Sequence, residues 1–457
     1  MNKTDFSFVN LTFTRKKAVE HSIKFGRFSD RNKTNNQLLI LNKVDKAFEN
    51  KEFLEGAEYF FEFIHDTSTN NIQFERVDEK IEFSFFQGSK IIKGFATKDK
   101  LYAYSELIKL KEDYDELFEK LLNLNYNLKF SKFSLKDNKI IVELHQQMSK
   151  INSEMLYYSM RELANVADKY DDYFELNFSN IEIINKSHLS ELEENEFNAK
   201  TKLFRSLLEN TFKEIKTLSN AKFAGARTFI LMNTLFKILF LISPEGLLLE
   251  ELKRIYNFYY SNNNKTEVEK NAYILSQLKK ISRLTDLELK NSLYHVTFTF
   301  PEILNTNSDK LIKFVSNEIQ KMYWYESNEY KNVAQTILEY IVGHSCFTFG
   351  SLPIISQLFL IFWEIMNKEF FDDLKIKKLP FEKDKISYFL VSQRIASINT
   401  AASNIFPKFF FNIKHLNLDN RFEFAKSFMH EIIILDFSFS KEEINKKKKK
   451  KRKKYDE

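Results

Sequence analysis

Asp168, Asp171 and Asp172, in RELANVADKYDDYFELNF at 161–178, are the residues whose spacing first invites chemistry. On a helix the three positions share one side. Three neighbouring carboxylates can supply oxygen ligands to a hard cation such as Mg²⁺, which is the basis of a metal-dependent hydrolase reading. That reading needs a second acidic cluster on a facing element, and none stands out in the sequence. The alternative is a solvated or partner-facing helix end, where the macrodipole's penalty on negative charge is roughly a few tenths of a kcal/mol. The expectation is that the aspartates stay wet while Met155, Leu156, Met160, Leu163, Ala164 and Ala167 pack on a sheet.

Two other patterns resemble catalytic motifs without completing them. His65–Asp66 matches the dipeptide of metal-dependent phosphohydrolases, but His and Asp ligands at a compatible spacing are missing, so a helix-end histidine is expected. GHSCF at 343–347 approaches the G-x-S-x-G turn of serine hydrolases. Phe347, however, stands where that crowded turn requires glycine, and the preceding residues read as helix rather than strand. Cys346 is then an interior thiol. The chain contains no phosphate-binding glycine loop, no H-E-x-x-H and no Cys–His metal spacing, so no cofactor is expected and catalysis is disfavoured.

Charge is concentrated at one end. Lys446, Lys447, Lys448, Lys449, Lys450, Lys451, Arg452, Lys453 and Lys454 form an unbroken basic run. Subtracting its nine charges from the formal +6 leaves −3 for the rest of the chain. The run, within a tail at 441–457, is expected to be disordered and to contact polyanions such as nucleic acid or an anionic membrane surface. The near-neutral remainder does not have the basic surface of a global nucleic-acid binder. The N-terminus lacks the pattern of a signal peptide, and a lone cysteine fits a reducing compartment, so a cytoplasmic location is expected.

The elements that must position these residues follow from composition and period. Across 457 residues, 43 % are hydrophobic and 48 are Phe, against 8 Gly and 5 Pro, a balance that favours long helices around packed cores. Residues 1–42 read as a basic arm (Arg15, Lys16, Lys17, Lys24, Arg27, Arg31, Lys33). Apolar spacings of three and four predict a helix over 43–67. NIQFERV (71–77), KIEFSFF (80–86) and KIIKGFAT (90–97) predict a strand meander. A helix at about 113–124 follows. Two strands flanking Lys-Asp-Asn come next, and then a helix at about 152–174 capped by Asn152 or Ser153. Residues 43–185 thus read as an α+β domain: helix, strand meander, helix, hairpin, helix.

Residues 186–440 read as a mostly α-helical domain with polar breaks at 261–267 and 305–310, while 293–300 fits either strand or buried helix. The stretch 341–363 is uncharged and long enough to span a bilayer. Gly350 and Pro353 instead predict two elements meeting there, the second helix starting at Pro353, with burial inside a helical core.

The element order over 43–185, and the stretch NKIIVELHQQMSKINSEMLYYSMRELANVADKYDDYFELNF at 138–178, resemble the type III secretion chaperone-like fold shared by YbjN-like proteins. That resemblance implies a dimeric adaptor that holds a partner peptide on an exposed sheet and helix surface. The expected function is therefore a non-catalytic adaptor, chaperone-like or scaffold subunit, with Phe74, Phe83, Phe85 and Ile91 as apolar anchors for a protein partner. A nucleic-acid-associated subunit of a defence or processing complex is the alternative.

Overall fold

The computed structural model describes residues 23–26, 35–67, 69–111, 115–184, 188–220, 222–303, 308–349, 352–403 and 406–438. The polybasic run and most of the basic arm lie outside them. The chain divides into two compact units: 1–192 with 245–251 and 290–302, and the remainder.

The first unit is α+β. Its helices are α1 (Asn35–Glu49), α2 (Phe53–Ile64), α3 (Asp115–Asn127) and α4 (Ser153–Asn177). Its strands are β1 (Ile72–Val77), β2 (Lys80–Gly88), β3 (Lys90–Thr97), β4 (Lys100–Leu110), β5 (Ser131–Lys136), β6 (Lys139–Gln147), β7 (Ile181–Ile183), β8 (Ser190–Glu191), β9 (Tyr294–His295) and β10 (Thr297–Phe298). The main sheet runs β1-β2-β3-β4-β6-β5, all neighbours antiparallel. β10 adds to β2 beyond the end of β1, and β7 adds to β4 beyond the end of β3. The ambiguous 293–300 segment is therefore not helix but two short strands, β9 and β10.

Three local features differ from the sequence expectation. The single helix over 43–67 is two helices, α1 and α2, broken around Lys51, whose φ of 64° is left-handed without glycine to announce it. Helix α1 also starts inside the stretch read as an arm. The meander has a fourth strand, β4, which becomes central to the sheet. The hairpin at 136–139 forms as expected, with Asp137 and Asn138 both at positive φ, as a two-residue primed turn requires. Asn152 caps α4 by accepting from the Met155 N–H at 2.8 Å.

Period-two alternation divides the sheet into two faces. On one, Phe83, Phe85, Ile92, Leu101, Ala103, Val142 and Leu144 are buried with Phe60 and Phe61 of α2 and Leu156, Met160 and Leu163 of α4. The Phe61 and Phe83 rings lie 4.4 Å apart. Met155, expected in this contact, is 38 % exposed and turned away.

The outer edge of β5 is occupied by side chains. Asn125 of α3 accepts from the Phe133 N–H at 2.6 Å and donates to the Phe133 carbonyl at 3.0 Å, as a neighbouring strand would. Glu162 of α4 accepts from the backbone N–H groups of Lys129, Phe130 and Ser131 and from the Ser131 hydroxyl. Among the described residues, β1, at the opposite edge, pairs with β2 alone.

The second unit is mostly helical. It contains α5 (Glu194–Thr217), α6 (Ala224–Lys237), the end of α7 (Gly246–Tyr260), α8 (Glu267–Ile281), α9 (Asp286–Lys290), α10 (Ser308–Ser327), α11 (Lys331–Thr348), α12 (Pro353–Met366), α13 (Lys368–Asp373), α14 (Tyr388–Ser403) and α15 (Arg421–Ile433). Phe362, Phe424 and Phe428 pack together in its core. The uncharged 341–363 stretch is shared between α11 and α12, and the second begins at Pro353. Ala224–Ile242 is a helical stretch long and apolar enough to cross a bilayer, and 83 % of its apolar window is buried.

Candidate partner-binding face

Asp168, Asp171 and Asp172 are not wet. They are 7 %, 0 % and 3 % exposed, and α4 turns Asp168 and Asp171 onto the β2–β3 connection. The Asp171 carboxylate lies 3.1 Å from Lys90 Nζ, itself fully buried, and accepts from the Ser89 hydroxyl at 2.7 Å. Lys90 also donates to the carbonyls of Leu107 and Ile184 at 3.2 and 2.9 Å. Asp168 accepts from the Ser89 N–H at 3.0 Å. Gly88, at a φ of +55°, makes this approach possible, because a Cβ there would fall 1.8 Å from Asp168 Oδ1.

Burying an acid costs several kcal/mol unless it is paired and hydrogen-bonded, and here a lysine and a tight turn provide the pairing. Tyr294 of β9 completes the surroundings; burial first, then the charges of Asp172, Glu245, Asp171 and Asp168, push its hydroxyl well above the ordinary tyrosine range. Among the described residues, no group of three or more His, Cys, Asp or Glu side chains could hold a metal ion. Asp168 and Asp171 pin a helix to a turn, and the cation that Asp171 meets is Lys90, at the head of β3.

The other motif-like residues are also structural. His65 is the C-cap of α2, its backbone N–H bonded to Phe61 and Glu62 carbonyls. Ser345 and Cys346 are buried inside α11, so GHSCF makes no strained strand-to-helix turn.

The four expected anchors separate by parity. Phe83 and Phe85 are 2 % and 0 % exposed and belong to the core, because both lie on the helix-covered face. Phe74 shares that face, half-buried, with its ring 5.7 Å from Phe61. Ile91 is half-buried and pairs with Phe86 on the opposite face.

That opposite face contains a hollow of about 600 Å³ over β3, β4 and β6. Cross-strand register puts Phe95, Tyr102 and His145 in one row and Lys93, Tyr104 and Glu143 in the next. The Tyr102 and Tyr104 rings stand 5.5 Å apart at 20°, and Phe95 is 5.8 Å from Tyr102. Glu143 accepts from the Tyr102 hydroxyl at 3.2 Å and the Ser134 hydroxyl at 3.0 Å, and lies 3.1 Å from His145 Nε2. Burial acts to raise the Glu143 carboxyl, but bonds from His145 and Ser134 and the charges of His145 and Lys132 outweigh it and hold it below the usual carboxylate range. Burial, with the charge of Glu106 behind it, pushes the Tyr104 hydroxyl up to about 12. Both tyrosines stay protonated at neutral pH, and the single O–H of Tyr102 is given to Glu143.

The sequence contains this face only indirectly, since the two tyrosines of β4 stand in a strand with little alternation in hydrophobicity. No family model matches the chain, and no curated protein matches it.

Proposed function

We propose that the chain is a cytoplasmic, non-catalytic adaptor or scaffold subunit that grips a partner protein on the open face of its sheet. The observation behind this reading is the unequal treatment of the two faces: α2 and α4 cover one, while the other keeps a hollow walled by Phe95, Tyr102 and Tyr104. Tyrosines at the centre of a concave patch are typical anchors of protein interfaces. The lining includes Asp99, Glu106, Asp137 and Glu143 against Lys100, Lys136 and Lys139, a balance that suits a protein surface better than a phosphate backbone. The resemblance to type III secretion chaperone-like proteins supports the same class. The nucleic-acid alternative rests on the Lys446–Lys454 run, and deleting it while measuring nucleic-acid affinity across salt tests that version.

The test of the main reading is quantitative co-purification of the tagged chain from its native lysate, comparing wild type with the Tyr102→Ala/Tyr104→Ala double variant and with Leu122→Ala, an exposed position on α3. The double variant is expected to lose the partners that Leu122→Ala retains. Equal recovery by a folded double variant rejects the open face, and substrate turnover by the purified chain rejects the adaptor class.

A further inference from the structure

The hollow carries a chemical preference as well as a shape. Glu143 stands among aromatic side chains, in a lining where Asp99, Glu106 and Asp137 face Lys100, Lys136 and Lys139. An aromatic wall beside an ionised carboxylate is the recognition chemistry of organic cations. The wall already attracts cations from its own chain: the ammonium groups of Lys80 and Lys100 lie 4.9 and 5.2 Å from the Phe95 ring centre. The charged partners that Glu143 now has are replaceable. Lys132 is 3.5 Å away with a side chain 59 % exposed, and His145 is equally exposed. Pairs whose cation stands this far out in water are weak. A wholly apolar anchor would displace water from Glu143 and give it no partner in exchange.

We infer that the hollow receives an arginine side chain from an extended segment of the partner protein, its guanidinium on Glu143 and its plane against Tyr104. Arginine fits better than lysine because its planar fork can pair with a carboxylate through two parallel bonds, stack on a ring and shed water at lower cost. The inference rests on the open face being the partner-binding face and names what that face selects.

The experiment uses the full-length chain and fluorescein-labelled nonapeptides Ser-Tyr-Ser-Thr-X-Thr-Ser-Tyr-Ser, with X as arginine, lysine, citrulline or glutamate, read by fluorescence anisotropy. Citrulline keeps the arginine shape without its charge. The arginine peptide is expected to bind about tenfold tighter than the citrulline peptide, the size of one charge-assisted bidentate contact. Glu143→Gln should reduce that ratio to about twofold or less at unchanged circular dichroism. Tyr104→Ala should weaken the arginine peptide more than the glutamate peptide. Equal binding of arginine and citrulline peptides, survival of the preference in Glu143→Gln, or no binding by any peptide overturns the inference. Should the double tyrosine variant lose its partners while arginine preference is absent, the arginine claim alone fails. Should that variant keep its partners, the underlying reading fails.

Discussion

The two faces of the β2–β3–β4–β6 sheet share one backbone and draw on the same residue types, yet one is covered by helices and the other keeps a hollow. Phe85 and Phe95 sit on adjacent strands; the first is sealed under α2 and α4, and the second lines an open hollow. Lys90 and Lys93 are three residues apart on β3; the first is fully buried against Asp171, and the second is exposed. What separates each pair is parity along the strand. Aromatic abundance in this chain therefore says nothing by itself about which side chains are sealed in the core, whereas register does.

The comparison can be broken most severely at the helix-covered face. Lys90→Ala leaves the Asp171 carboxylate buried without its cation, and chemical denaturation should show a loss of about 3–5 kcal/mol. A loss below about 1 kcal/mol would mean that the pair is dispensable. Phe85→Ala should cost about 3–5 kcal/mol through the cavity it leaves, while Lys93→Ala on the opposite face should stay within about 0.5 kcal/mol. Equal losses would erase the distinction between the faces.

The gentlest probe is acid titration of Glu143. Its folded-state carboxyl is held below its ordinary value of 4.5, so the unfolded chain binds more protons as pH falls past that value. The stability contributed by Glu143 is present above about pH 4.5 and lost as pH falls through the lower folded value. Glu143→Gln should therefore flatten the acid limb of a stability-against-pH curve slightly, leaving the neutral range unchanged. An unaltered limb would show that the carboxyl is not held by its neighbours.

The sequence shows the α+β-then-helical architecture, three of the strands, the 136–139 hairpin and the Asn152 cap, because these depend on local period and turn chemistry. β4 is harder to see because its covered positions include Ala103 and Ser105 and its open positions carry Tyr102, Tyr104 and Glu106, so alternation in hydrophobicity nearly vanishes. The partners of β10 and β7 are set by pairings distant in sequence, which no local pattern contains. The burial of Asp171 is hidden for the same reason, its cation lying on a strand far from its helix.

The side-chain occupation of β5 has a consequence for crowded solution. An unpaired strand edge is a template on which another chain's strand can add, and a sheet open at both edges lets such addition propagate without limit. Asn125 and Glu162 stopper one edge with the hydrogen bonds an incoming strand would need. Any edge-to-edge joining of two copies through β1 then ends at a pair, since each member presents a blocked rim to the next, and filaments cannot grow by that route.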